Sequence, residues 1–246
     1  ANKPAMIDTI HTLRRLWAGE AVAFARADGT PHEVVTQPRP VSKTLPLWIT
    51  TAGNPETWKE AGRLGANVLT HLLGQTVAEV GDKIALYRRA LREAGHDPAD
   101  FTVTLMLHTY LAATRETAKE TAREPMKDYL RSAAGLIKQY AWAFPAFKKP
   151  ANATNAFDLD LSGLSDAEMD GVLDFAFERY FEESGLFGTV DDARARLAQV
   201  AAIGVTEVAC LIDYGIATDT VLAGLEPLAE ARRTGIPGDM LAGVSS

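Results

Sequence analysis

The residues best suited to chemistry fall in a few short stretches. Asn54–Pro55–Glu56–Thr57 reads as a helix start, with Asn54 at the N-cap, Pro55 at the first helical position and Glu56 in the first turn. The free N–H groups and dipole of such a terminus make an anion site, to which Thr57 adds a hydroxyl donor. The plainer reading is a cap followed by a solvated threonine. His71 and His108 each close an apolar run. Histidine titrates near neutrality, so each suits proton transfer, and each equally suits a hydrogen-bonded structural place. Asp213, followed by Tyr214, ends another apolar run. Its carboxylate could act as a general base or substrate anchor, or cap a loop or pair with an arginine. No third His, Asp or Glu stands at metal-ligand spacing near either histidine, so no zinc site is expected. Cys210, the single cysteine, lies between Ala209 and Leu211 and reads as a buried small hydrophobe rather than a nucleophile.

These residues need elements to hold them. Leu45–Thr51 is a short apolar, β-branched run with the length of a strand buried on both faces. A helix follows in which Trp58, Ala61 and Leu64 recur at helical spacing, closed by Gly65. Ala66–His71 is the next strand, so the pair forms a right-handed βαβ unit. Its ligand-binding end is the loop after the first strand. A helix from about Val77 to Ala94 then turns Val80, Ile84, Tyr87 and Leu91 inward. Phe101–Tyr110 is a third buried strand. A helix from about Arg115 to Tyr140 is expected to break near Pro125.

Ala141–Leu164 lacks periodicity and reads as a long insertion loop. Its aromatic–basic cluster, Trp142, Phe144, Phe147, Lys148 and Lys149, suits a lid or carrier-protein contact, or is a mobile surface loop. Asn152–Ala153–Thr154 fits a glycosylation acceptor, though nothing points to secretion. Ser165 and Glu168 form a capping box before the next helix. Thr189 caps another, after the turn at Gly188. Val205–Tyr214 is the fourth strand, Thr218–Arg233 the closing helix, and residues 234–246 a flexible tail. Ahead of all this stand an amphipathic helix from Met6 to Trp17 ended by Gly19, a hairpin over Ala21–Thr36 turning at Ala27–Thr30, and a Pro-rich connector.

Alternating strands and helices point to an α/β fold. A net charge of −7 argues against nucleic acid or an anionic membrane as the main partner. A single cysteine permits no internal disulfide and fits the cytoplasm. A closed barrel needs eight strands, and four alone would leave two apolar edges bare. The expected architecture is therefore the C-terminal part of a (β/α)8 TIM-type barrel spanning residues 1–233. An open flavodoxin-like sheet would call for a Gly-rich first βα turn, which is absent.

The stretches LPLWITTAGNPETWKEAGRLGANVLTHLLGQ, TVTLMLHTYL, RYFEESGLFGT and GVTEVACLIDYG resemble the bacterial-luciferase-like flavin monooxygenases. The subgroup they look most like is the one that works within or beside nonribosomal peptide and polyketide synthases. The resemblance runs from Met6 to about Arg232 and implies a barrel that uses reduced FMN, supplied by a separate reductase, and oxygen. It also implies that the chain starts in the helix after the fourth strand, with an N-terminal half missing. Carried over, it assigns Gly53, Asn54 and Thr57 to the FMN phosphate, and places Thr70, His71, Gly74 and Gln75 near flavin or substrate. Three readings follow: an FMN-dependent monooxygenase acting on a small or carrier-bound substrate, a catalytically silent half-barrel serving as an interaction module and possible homodimer, and a relative of the deazaflavin F420-dependent reductases.

Overall fold

A computed structural model describes residues 2–145 and 154–235. Contacts divide the chain into two compact units, residues 1–47 and 48–246. In the first, helix α1 (Asn2–Ala18) precedes an antiparallel hairpin of β1 (Val22–Ala25) and β2 (Pro31–Val34), with Val22 opposite Val34. Asp28 Oδ1 accepts from both the N–H and the hydroxyl of Thr30, which sets the turn. Arg39 donates to the Leu16 and Trp17 carbonyls at 3.2 and 2.6 Å, so a cation closes the carbonyl end of α1.

The second unit is a parallel sheet with helical crossovers. Its strands are β3 (Trp48–Thr50), β4 (Asn67–His71), β5 (Val103–Leu111), β6 (Leu186–Gly188) and β7 (Glu207–Leu211). The order runs β3-β4-β5, and β5 then carries two partners. Thr104–His108 pair with β7, and Thr109–Leu111 pair with the short β6. Helices α2 (Pro55–Arg63), α3 (Val77–Glu93), α4 (Arg115–Ser132), α5 (Ala134–Ala143), α6 (Asp166–Glu183), α7 (Val190–Ala202) and α8 (Thr218–Thr234) complete it. This is the partial parallel (β/α) barrel expected from the strand count, with β6 an additional strand ahead of the Gly188 turn and the Thr189 cap.

Strand alternation gives the sheet two unlike faces. Ile49, Val68, Thr70, Val103, Leu105, Leu107, Thr109 and Leu111 are all buried. Behind them α3 buries Val80, Ile84, Tyr87 and Leu91, and Tyr87 donates to the Ala66 carbonyl at 2.8 Å. The opposite face, with Trp48, Leu69 and Met106, is more open, and Trp48 is 44% exposed. The first strand thus departs from expectation. It spans three residues, not seven, and buries only Ile49, because only one of its faces meets helices.

Helix α4 also departs from expectation by running through Pro125 to Ser132, with the break at Ala133. Ala118, Ala122, Met126 and Leu130 form one uninterrupted buried stripe. Lys119, Arg123 and Lys127 pair with Glu178, Asp174 and Asp170 on α6. Packing and charge along the helix offset the roughly 3 kcal/mol that an interior proline costs. Helices α4 to α6 gather around a core of their own that includes Leu130, Ile137, Leu173, Phe177 and Phe187. The stretch read as a loop from Ala141 begins inside α5 and carries a short 3-10 turn at Ala156–Asp158. Phe147, Lys148, Lys149, Asn152 and Ala153, with residues 236–246 of the tail, lie outside the described residues.

Candidate cofactor and substrate rim

Because every strand of the second unit is parallel, the loops at their C-terminal ends share one end of the sheet. That end carries Thr51–Asn54 after β3, His71–Gln75 after β4, and Ile212–Gly215 after β7. The β3 loop leads directly into α2. Asn54 is exposed in an extended conformation, and its side chain accepts the Glu56 N–H at 3.0 Å. Its carbonyl accepts the Thr57 N–H at 3.2 Å. Thr57 itself is half-buried. Gly53 is exposed, and a Cβ built there would meet nothing within 4 Å, so a ligand could approach the backbone. Trp58 Nε1 donates to the Ala52 carbonyl at 2.9 Å and pins the loop from below.

His71 is the last residue of β4, on the open face. Its Nδ1 accepts the Leu73 N–H at 3.2 Å, and partial burial holds its pKa below the ordinary value. Thr70 points the other way. Alternation sends it to the helix-covered face, where it is 1% exposed. Gln75 is buried and donates to the His71 carbonyl at 2.8 Å while accepting from Lys83 Nζ at 2.8 Å. Thr70 and Gln75 therefore sit behind the rim, with partners of their own. Gly74 is exposed and borders a cleft of about 200 Å³ that Gln139, Tyr140 and Arg179 also line.

His108 does not end its strand as the apolar pattern suggested. It is the sixth residue of β5, which continues to Leu111 because β6 pairs with its last three residues. Its partner Leu211 is nevertheless the last residue of β7, so His108 stands level with the neighbouring strand end. It is fully buried against Tyr129, Tyr180 and Tyr214, and Tyr180 Oη lies 2.7 Å from its Nδ1. Burial, helped by nearby His71, pushes its pKa down to about 4. Asp213 is exposed at the same end, two residues past β7. Cys210 faces the helices from mid-strand, and burial raises its pKa.

Three buried side-chain atoms have no hydrogen-bond partner among the described residues: Thr51 Oγ1, His108 Nε2 and Tyr214 Oη. His108 and Tyr214 meet at the C-terminal ends of β5 and β7, with ring centroids 5.2 Å apart, whereas Thr51 continues the parity of Ile49 and so lies on the helix-covered face with Thr70. Buried polar groups are nearly always paired, so the neighbouring His108 Nε2 and Tyr214 Oη fit a place where a polar ligand completes the bonding. Residue patterning pointed to Tyr214 only as Asp213's neighbour. Thr51, Tyr129 and Tyr180 carried no local signal of a role. Among the described residues, no group of three His, Cys, Asp or Glu side chains could hold a metal ion, and no helix is long and apolar enough to cross a membrane.

A parallel α/β sheet with helical crossovers defines a barrel-type scaffold, whose strand C-terminal ends are where such folds bind ligands. The chain belongs to the luciferase-like monooxygenase family, which it matches over residues 2–207. No curated protein matches it significantly. Among solved structures it is similar to the monooxygenase RslO1 from Streptomyces bottropensis, at 20% identity and a TM-score of 0.64, covering 92% of this chain and 59% of that one. It is also similar to the oxygenating constituent of 3,6-diketocamphane monooxygenase from Pseudomonas putida, solved with FMN. There the identity is 15% and the TM-score 0.60, covering 94% of this chain and 62% of that one. A third similar structure is the coenzyme F420-dependent tetrahydromethanopterin reductase from Methanopyrus kandleri, at 14% identity and a TM-score of 0.61, covering 92% and 62%. The chain thus spans about three fifths of the length of these proteins.

Proposed function

We propose that this chain is the flavin-phosphate and substrate-facing part of an FMN-dependent monooxygenase. The reading rests most heavily on the exposed, capped start of α2 at the C-terminal end of β3, supported by the unpartnered His108 Nε2 and Tyr214 Oη that meet at the C-terminal ends of β5 and β7. Gly53 and Asn54 would hold the phosphate through backbone N–H groups and Thr57 through its hydroxyl, with the α2 dipole favouring the negative charge. Asn54's side-chain oxygen is engaged by its own helix and contributes order to the loop. Bound reduced FMN supplies two electrons to oxygen, one oxygen atom entering the substrate and the other leaving as water. His71 and Asp213 face the open end as candidates for proton handling or substrate anchoring, and Gly74 lets the Gln139 amide close onto the rim where a Cβ would clash. The aromatic-lined lobe of α4 to α6 shields the His108 side of the rim from water.

Beyond that core reading, an organic substrate held on a carrier protein in natural-product assembly, and a separate flavin reductase, are the partners proposed. Among the described residues β3 pairs only with β4 and β7 only with β5. Both outer edges therefore suit further strands, best supplied by an N-terminal half. The deazaflavin F420 is the second reading, favoured by the likeness to an F420-dependent reductase. Titration of FMN and of F420, followed by fluorescence and calorimetry, separates the two. It is run on this chain alone and on the chain joined to an N-terminal half. Binding of FMN in preference to F420 supports the proposal, and binding of neither by the joined protein removes it. Light scattering reports in parallel whether the chain alone pairs with itself, as a silent half-barrel would.

A further inference from the structure

Tyr180 lies on α6, 72 residues from His108, yet its hydroxyl is 2.7 Å from His108 Nδ1. Both residues are buried, His108 at 0% and Tyr180 at 1% exposure. Tyr129 and Tyr214 enclose the same imidazole edge to face, with ring centroids 4.3 and 5.2 Å away. Nε2 makes no hydrogen bond among the described residues.

A phenol carries one hydrogen and a neutral imidazole one N–H, so the contact can be made in two ways. In the first, Tyr180 donates to a bare Nδ1. The ring proton is then on Nε2, and one buried group, that N–H, lacks a partner. In the second, Nδ1–H donates to the Tyr180 oxygen. The phenol hydrogen then needs an acceptor, and among the described residues Tyr180 Oη has only His108 for a partner. Nε2 would also be a bare, buried lone pair. The second arrangement strands two groups where the first strands one, and each is costly in a dry interior. Ionisation relieves neither. Burial keeps the Tyr180 phenol far above its ordinary pKa, and burial helped by neighbouring His71 holds the imidazole at about 4, while among the described residues the other titratable groups near the pair are the phenols of Tyr129, Tyr140 and Tyr214.

We infer that Tyr180 is a positioning residue that holds His108 as the neutral Nε2–H tautomer and so keeps an uncharged N–H donor ready at the C-terminal end of the sheet. This deepens, and rests on, the reading of that end as a binding site. The donor suits an uncharged oxygen acceptor, such as a carbonyl, because a neutral imidazole offers no charge to an anion. The faces of Tyr129 and Tyr214 are weak acceptors that such an oxygen would outcompete.

The test is a long-range 1H–15N spectrum of the histidine-labelled chain near neutral pH, with His108 assigned by its loss in His108→Gln. The expected pattern is a protonated, pyrrole-type Nε2 and a pyridine-type Nδ1. Tyr180→Phe keeps the ring but removes the hydroxyl, and it shifts both nitrogens toward values averaged over two tautomers. Tyr214→Phe, which removes a hydroxyl from the same cluster without touching Nδ1, leaves the pattern in place. A wild-type proton on Nδ1 overturns the inference even where Tyr180→Phe fails to fold, and so does a Tyr180→Phe spectrum identical to wild type. FMN titration of the same sample is read separately. The Nε2–H pattern without flavin binding upholds the tautomer and removes the proposed function, and flavin binding with the proton on Nδ1 does the reverse.

Discussion

Asn54 Oδ1 accepts the Glu56 N–H at 3.0 Å, so the side chain at the mouth of α2 is committed to its own helix before any ligand arrives. Capping and phosphate binding can therefore be separated by substitution. Asn54→Ala loses the cap and costs about 1 kcal/mol in denaturant unfolding. Asn54→Asp keeps the cap, with stability within about 0.5 kcal/mol, but sets a carboxylate beside the proposed phosphate. Its FMN affinity falls about tenfold or more, a penalty of at least ~1.4 kcal/mol, while riboflavin, which has no phosphate, binds as before. Unchanged FMN binding by Asn54→Asp removes this loop from the phosphate site.

Thr57 offers the complementary experiment. Its hydroxyl is the one side-chain donor proposed for the phosphate, and the residue is half-buried. Thr57→Val preserves shape and removes the hydroxyl. A hydrogen bond to a charged group contributes about 1.5–3 kcal/mol, so the FMN dissociation constant rises by about tenfold or more. Calorimetry of FMN and riboflavin side by side checks that the loss is confined to the phosphorylated ligand.

Burial of His108 has a consequence for stability against pH. Its pKa in the folded chain is about 4, below the ordinary 6.5. Between those values the unfolded chain binds the proton and the folded chain does not, so stability is lost as pH falls through that window and is level above it. The contribution is at most about 3 kcal/mol. His71, also lowered by burial, adds in the same direction. Urea unfolding at pH 7 and pH 5 measures the slope, and His108→Gln flattens it. A slope as steep in His108→Gln as in wild type places the titrating group elsewhere.

Thr104 lies at the other end of the open face. It accepts from Trp48 Nε1 at 2.9 Å and donates to Glu207 Oε1 at 2.7 Å, tying β3 to β7 across the sheet. Thr104→Val removes both bonds and destabilises the second unit by about 1–3 kcal/mol. Trp48 fluorescence shifts to the red as its indole loosens. Because this bridge sits near the N-terminal ends of the strands, FMN titration is unaffected. A change in flavin affinity here contradicts the placement of the cofactor at the opposite rim.

What could be read without coordinates was what depends on near neighbours in the chain. Asn54, Ser165 and Thr189 cap helices as their spacing implied, and the Ser165 box closes through Glu168 three residues on. Val80, Ile84, Tyr87 and Leu91 turn inward because helical period alone puts them on one face. The parallel strands and the rim they create follow from the same local alternation of strand and helix. A cap or a stripe is complete within a turn or two, so its residues carry its whole description.

The remainder was settled by contacts between residues far apart in sequence. Leu45–Thr51 is apolar enough for a fully buried strand, yet only Ile49 and Thr51, on one face, are covered, since burial depends on which elements reach the sheet. Pro125 sits inside a helix because α6 supplies a partner for both its stripe and its charges. Thr70 and Gln75 share the rim's sequence neighbourhood with His71 but are turned away from it by strand parity and by Lys83. His108 is enclosed by tyrosines from α4, α6 and the loop after β7, the one at hydrogen-bond distance lying 72 residues away. Local sequence therefore determined which elements exist and where their ends lie. Which side chains meet, and which polar atoms are left facing a ligand, was decided only when the folded chain brought separate elements into contact.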